Sequence, residues 1–238
     1  MLVKSEAIIL QNIKYADKKA VIKAFTKKHG LLTFSAIITK SSQAKIKPAS
    51  VLPLTVTELS YALKQNRDIQ LLTESNIAYV YDDISRNYLK LAIAQFMNEV
   101  LIKCIKEHVG NEELFAFVVN SYKWLNEAKE GYSNLHIYFL LELSKHLGFE
   151  PNNNYSANDK YFDTREGKFT PVELGFPLGL NNLQSQLFSQ SLNEGLIDKP
   201  FSRSERNELI ESYLAFYKMH VAGFSDLKSP SVLKELFA

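Results

Sequence analysis

The sequence predicts an α+β chain, with a five-stranded barrel over residues 1–80 followed by a mainly α-helical domain over residues 81–238. Three observations carry this. The first eighty residues hold five short apolar runs with strand-like alternation, separated by polar turns. From about Asp82 the apolar spacing lengthens to three and four residues. The charge balance also changes there. Residues 1–80 carry twelve bases against five acids, net +7, and residues 81–238 carry sixteen against twenty-one, net −5, in a chain of overall charge +2.

The strands follow in order. Glu6–Asn12 is apolar and β-branched. Lys19–Thr26 alternates Ala20, Ile22 and Ala24 with Val21, Lys23 and Phe25. Leu31–Thr39 follows the turn signal Lys28-His29-Gly30, and Pro53–Ser60 alternates Leu54, Val56 and Glu58 with Thr55, Thr57 and Leu59. Ile69–Ile77 follows the polar turn Gln65-Asn66-Arg67-Asp68. Closing five short strands into a barrel of the OB type hides most of their edges, and an SH3-like barrel fits the same pattern.

The helices come next. Ile84, Tyr88, Leu91, Ala92, Phe96 and Val100 predict one long helix over Ser85–His108. Asn111 opens a second helix through Leu125. Asn134–Leu147 forms a third, closed by Gly148. Residues 151–182 hold Pro151, Pro171, Pro177, several glycines and an asparagine run, so they read as loop or short hairpin. A helix over Leu183–Asn193 follows. Ser202-Arg203-Ser204-Glu205 is a capping box that opens another. Pro230 suits the first turn of a last short helix.

Several chemistries are excluded. No apolar run approaches the roughly 18 residues of a membrane span. Glu6 interrupts the N-terminal stretch too early for a signal peptide. The single cysteine, Cys104, permits no internal disulfide and reads as a small core residue, so an intracellular, cytoplasmic protein is expected. Phosphate-loop, dinucleotide and nucleophile-elbow motifs are absent. The histidines are scattered, and Asp82-Asp83 and Glu112-Glu113 suit helix starts. No catalytic residue, metal ligand or cofactor is therefore expected, and the chain does not read as an enzyme.

The basic end points to a polyanion, because clustered lysines raise the local potential and release counterions on binding phosphate. A groove for single strands needs cations along the phosphates and faces on which bases stack. Lys14, Lys18, Lys23, Lys27, Lys28, Lys40, Lys45 and Lys47 can supply the cations. Tyr15 and Tyr61, near turns, can supply the faces, whereas Phe25 and Phe34 read as core. Lys40–Lys47 reads as a flexible basic loop on the barrel rim. An RNA-binding barrel and a metal-dependent nuclease using Asp159 or Asp163 are the alternatives.

Glu6-Ala7-Ile8-Ile9-Leu10 and the run from Tyr15 to Leu32, including Phe25-Thr26-Lys27-Lys28-His29-Gly30, resemble the start of the RecO family of bacterial recombination mediators. Leu147-Gly148-Phe149-Glu150-Pro151, Tyr161-Phe162-Asp163 with Gly167-Lys168-Phe169, and Leu227-Lys228-Ser229 with Leu233-Lys234-Glu235-Leu236 are similar to later family segments, in the same order. One feature departs. Many members carry four cysteines forming a zinc knuckle where this chain has Asn152–Asp159, so the resemblance implies a site without its metal, its loop held by packing of Tyr155, Tyr161 and Phe162.

The resemblance implies an OB-fold followed by a helical domain. It further implies binding of single- and double-stranded DNA, annealing of complementary strands, and work with RecR to load RecA onto strands coated by single-strand-binding protein. By resemblance the helical domain holds that protein's acidic C-terminal tail. Arg203 and Arg206, three apart at a helix start, are the candidate cations, since arginine forks suit carboxylates.

Overall fold

A computed structural model describes residues 2–64, 66–105, 109–193 and 195–236. Five strands, β1 (Leu2–Lys14), β2 (Lys19–Thr26), β3 (Gly30–Ile37), β4 (Val56–Ala62) and β5 (Ile69–Tyr79), close into a barrel in the order β1-β2-β3-β5-β4. All pairings are antiparallel except β3 with β5. That is the OB arrangement of the two expected. Inward positions alternate small and large: Ala7 and Ile9, Ala20 and Ile22, Ala24, then Leu32, Phe34 and Ala36. The alanines leave room for the large side chains inside a narrow barrel. The thirteen-residue β1 pairs with β4 through Leu2–Ile8 and with β2 through Ala7–Lys14, and its register with β2 shifts between Ile9 and Gln11. Asn98 donates to the Leu10 carbonyl at this irregularity, 2.7 Å away.

The chain divides into two units. The first comprises residues 1–86 and 98–126, the second residues 87–97 and 127–238. In the first, α3 (Glu112–Glu127) lays Phe115 against Phe25 of the barrel, ring centroids 5.5 Å apart. Asn111 caps α3 by accepting from the Leu114 amide at 2.9 Å. Gly110 meets the β2–β3 hairpin so closely that a Cβ there would lie 2.2 Å from the Lys28 carbonyl oxygen.

The long helix expected over Ser85–His108 is instead two, α1 (Asp82–Arg86) and α2 (Tyr88–Cys104); its expected end at His108 lies outside the described residues. The break is chemical. The Asn87 side chain accepts from the amides of Leu89 and Lys90, at 3.0 and 3.3 Å, and so starts a new helix.

In the second unit, α4 (Leu135–Leu147) ends at Gly148 with φ 82°, where the Gly148 and Phe149 amides take the carbonyls of Lys145 and Ser144. The hairpin β6 (Tyr161–Asp163) and β7 (Lys168–Thr170) follows. Then come α5 (Asn182–Ser191), α6 (Arg203–His220) and α7 (Ser229–Leu236), with Pro230 second in α7. The Ser202 and Glu205 capping box forms as expected. A second box, Asn181 with Gln184, opens α5. Its sequence signature, Asn-x-x-Gln, was readable in advance.

Candidate nucleic-acid interface

The β1–β2 turn and the β3–β4 connection lie at one end of the barrel. Lys14, Lys18, Lys19 and Lys40, with Asp17 and Ser41, line a cleft of about 490 Å³ there. Tyr15, in the same turn, is 59% exposed. A second cleft of about 420 Å³ lies on the other side of the connection, between Lys45 and Lys47 and the β5 residues Glu74, Asn76 and Ile77. Among the described residues, Lys14, Lys18, Lys19, Lys23, Lys40, Lys45 and Lys47 make no ion pair. Their charge is free to meet phosphate.

The segment expected as a flexible loop is pinned. Ile46 is buried in the barrel core between the two exposed lysines. Thr39 donates its amide to the Ile46 carbonyl at 3.3 Å, and Ser75 of β5 donates to the Lys45 carbonyl at 2.9 Å. The hydroxyls of Ser50 and Ser75 are bonded beneath. With Ile46 pointing inward, Lys45 and Lys47 both face outward, so little ordering remains to oppose ligand binding.

Between the ends of the barrel, Val21 and Lys23 of β2 alternate with the inward Ala20, Ile22 and Ala24 and so face out. Ile37 of β3 is 60% exposed and Leu71 of β5 is 54% exposed, with Ile69 beside it. These aliphatic side chains offer apolar area to bases, but Tyr15 is the aromatic face that the β1–β2 turn presents.

Three expected contributors lie elsewhere. Lys27 and Lys28 sit at the opposite end of β2 from Lys18, roughly 25 Å along the strand at about 3.3 Å per residue. Lys27 reaches Glu6 and Glu112, each at 3.8 Å, and Lys28 donates to the Lys4 carbonyl at 2.8 Å. Both brace the hairpin. Tyr61 corrects the expectation outright: it is 0% exposed, so no base can stack on it. Its ring meets Phe34 edge-on inside the barrel at 5.1 Å, and burial pushes its phenol up. Alternation with the inward Leu59 was the signal that its nearness to a turn concealed.

Sequence reasoning passed over Lys19, which completes the first cleft. It also passed over Lys64 and Arg67 in the β4–β5 turn. That turn is held by Gln70, which is buried. The Gln70 side chain accepts from the Lys64 amide at 2.8 Å and donates to the carbonyls of Lys64 and Arg67 at 3.0 and 2.6 Å. Two bases in one polar turn were the available signal.

In the second unit, Arg203 and Arg206 fall on the first turns of α6 as expected. The Arg203 guanidinium donates to the Lys234 carbonyl of α7, and Arg206 donates to the Phe201 carbonyl. The cysteine-free stretch is tied by polar pairs and rings. Asn154 exchanges two hydrogen bonds with the Phe169 backbone, at 2.8 and 2.9 Å. Tyr155 stands edge-on to Phe169, and buried Phe162 contacts Phe169, Phe188 and Phe216. Tyr161 is half-buried.

The nuclease alternative finds no support in these residues. Burial works to raise the Asp163 carboxyl, but Arg165 and the amides of Arg165 and Glu166 outweigh it and hold the group below its ordinary value. Asp159 accepts from Ser156. Among the described residues no three His, Cys, Asp or Glu side chains gather as metal ligands, and no helix is long and apolar enough to cross a membrane.

Comparison with known proteins covers the chain from end to end. The family described as Recombination protein O N terminal matches residues 1–81, and Recombination protein O C terminal matches residues 85–230. The chain is 31% identical over 242 residues to the DNA repair protein RecO of Flavobacterium johnsoniae. It is 30% identical over 253 residues to that of Bacteroides fragilis, and 29% identical over 240 residues to that of Azobacteroides pseudotrichonymphae. Each alignment covers 100% of both chains.

Proposed function

The chain belongs to the RecO family of DNA repair proteins, and on that premise we propose that it is a recombination mediator that binds single- and double-stranded DNA, anneals complementary strands and helps load recombinase onto protein-coated DNA. One observation carries the reading most of the way: six lysines that make no ion pair among the described residues, Lys14, Lys18, Lys19, Lys40, Lys45 and Lys47, line two clefts on either side of one pinned segment. Such a band follows a phosphate backbone without reading sequence. Annealing then needs no acid, base or metal. Neutralising two backbones lowers their repulsion, and base pairing supplies the driving free energy.

In this reading residues 1–80 form the first module and residues 81–238 the second, with residues 151–182 as the hairpin-bearing insertion, while residues 98–126 of the second pack with the barrel. The first module takes nucleic acid and the second takes partners: RecR, the acidic tail of single-strand-binding protein and, indirectly, RecA. The setting is cytoplasmic, at the nucleoid. For the tail, Arg203 and Arg206 remain the candidate cations. Arginine forks suit carboxylates in pairs of parallel bonds, which is the chemistry an acidic tail offers.

The deciding experiment measures annealing of complementary strands already coated with the cognate single-strand-binding protein. Acceleration is expected, with loss on changing Lys14, Lys18 and Lys40 to Glu. No acceleration by the unaltered protein would sink the reading. For the tail, Arg203→Glu with Arg206→Glu is expected to abolish peptide binding and leave binding to bare DNA intact. Peptide affinity within about twofold of the original, under about 0.5 kcal/mol, would place the tail elsewhere.

A further inference from the structure

A groove runs between α5 and the first turns of α6, with a volume of about 350 Å³. Its apolar part is Leu183 and, one turn on, Leu187. Leu183 is 79% exposed, more than any other large apolar side chain among the described residues. Leu183 and the half-buried Leu187 together give the groove an apolar strip that a partner side chain can cover. Its position is fixed by the Asn181 and Gln184 capping box at the start of α5. The Gln184 amide nitrogen then donates to Glu208 Oε2 at 2.9 Å, which ties α5 to α6.

The polar wall carries Glu205 and Glu208, and the lining contains no lysine or arginine. Of the nearby cations, Lys199 donates to the Gln190 carbonyl, Arg203 to the Lys234 carbonyl and Arg206, whose charge acts on Glu205, to the Phe201 carbonyl. Hydrogen bonds from Ser202, its amide foremost, hold the Glu205 carboxyl below its ordinary value, so it stays charged. Glu208 Oε1 has no hydrogen-bond partner among the described residues, which leaves it able to accept.

We propose that this groove is a docking site for a segment of a partner protein that presents an aliphatic side chain flanked by lysine or arginine. The aliphatic group covers Leu183 and Leu187, and the cation meets Glu208. The volume admits one or two side chains, at the small end of ligand pockets. Both walls are helices already fixed by their caps, so binding orders little of the protein. The chemistry is opposite to that of an acidic tail, so the proposal stands independently of the Arg203 and Arg206 assignment.

Two peptides that differ only in charge test it, acetyl-Leu-Lys-Lys-Leu-amide and acetyl-Leu-Glu-Glu-Leu-amide. Each is titrated into the nitrogen-15-labelled full chain. The lysine peptide is expected to shift amides of residues 183–190 and 204–208 saturably and to bind at least about tenfold tighter than the glutamate peptide. Leu183→Ser is expected to abolish binding, and Glu208→Lys to reverse the charge preference. Glu208→Gln serves as the milder change, with the unshifted remainder of the spectrum reporting the fold. Equal binding of the two peptides, preference for the glutamate peptide, shifts confined to other residues, or no saturable shift up to about 5 mM would each overturn the proposal.

Discussion

The Tyr61 hydroxyl lies 2.7 Å from Nδ1 of His29, beneath the β2–β3 hairpin. The pair fixes the ring that sequence reasoning had offered to bases. Tyr61→Phe keeps the packing against Phe34 and removes this bond. A loss of about 1 kcal/mol in denaturant unfolding is expected, with DNA affinity unchanged. Weaker DNA binding at constant stability would return Tyr61 to the interface.

The lysines divide by location, so their substitutions should divide by effect. Lys40→Gln, Lys45→Gln and Lys47→Gln are each expected to reduce the salt slope of single-strand binding by about 0.7. Lys27→Gln and Lys28→Gln are expected to leave the slope unchanged and to reduce stability slightly, because both side chains brace the hairpin. Titrations between about 50 and 200 mM salt read the slopes. Equal losses from both groups would mean that the strand contacts both ends of the barrel.

The stretch over Asn152–Thr170 is held by rings and asparagine bonds. Phe162→Ala is expected to cost about 3–5 kcal/mol, the usual range for emptying a buried aromatic site. Chelator is expected to leave the thermal midpoint where it was, the result that follows when no metal binding is coupled to folding. One equivalent of tightly bound zinc in elemental analysis would contradict this account.

His136 is buried, and burial, with the nearby Arg206 charge adding to it, lowers its pKa to about 3. The unfolded chain takes up a proton near the ordinary value of 6.5, and the folded chain does so only near 3. Stability from this group is therefore complete above pH 6.5 and declines as pH falls towards 3. The slope is on the order of 1.4 kcal/mol per pH unit. His136→Gln should flatten the urea midpoint against pH in that window. An unaltered slope would assign the acid sensitivity to carboxylates instead.

Ser202→Ala removes one half of the α6 capping box and is expected to cost about 1 kcal/mol. Glu205→Gln should cost less, and only above the ordinary carboxyl range. The folded pKa of Glu205 is lowered, chiefly by the hydrogen bonds from Ser202, so its contribution is present above about 4.5 and fades as pH falls through the lower folded value. Stability differences that persist unchanged at pH 2 would show a packing effect rather than a charge effect.

Much of the barrel was legible because alternation is a property of neighbouring residues. Lys19–Thr26 was read to its ends, since Ala20, Ile22 and Ala24 can all face one side only in a strand. Burial of a loop residue was harder to see. Ile46 stands alone between Lys45 and Lys47, and only closure of the barrel shows that an apolar side chain is needed there. The lysines were found by composition, but composition has no geometry. That Lys18 and Lys28 occupy opposite ends of β2 follows from the hairpin connections, which a charge count ignores. The helix break at Asn87 was missed because apolar spacing runs on through it, while the stop is made by one side-chain amide.

Phe25 gives the packing of α3 on the barrel a consequence in time. Its ring points away from the barrel interior and is covered by Phe115. During synthesis the five strands are complete at Tyr79, whereas α3 ends at Glu127. At roughly 5–20 residues per second the nascent barrel waits about 2–10 seconds without the helix that covers that ring. Over that interval, and on any ribosome stalled between residues 81 and 111, the barrel has its strands but not the helix that carries Phe115.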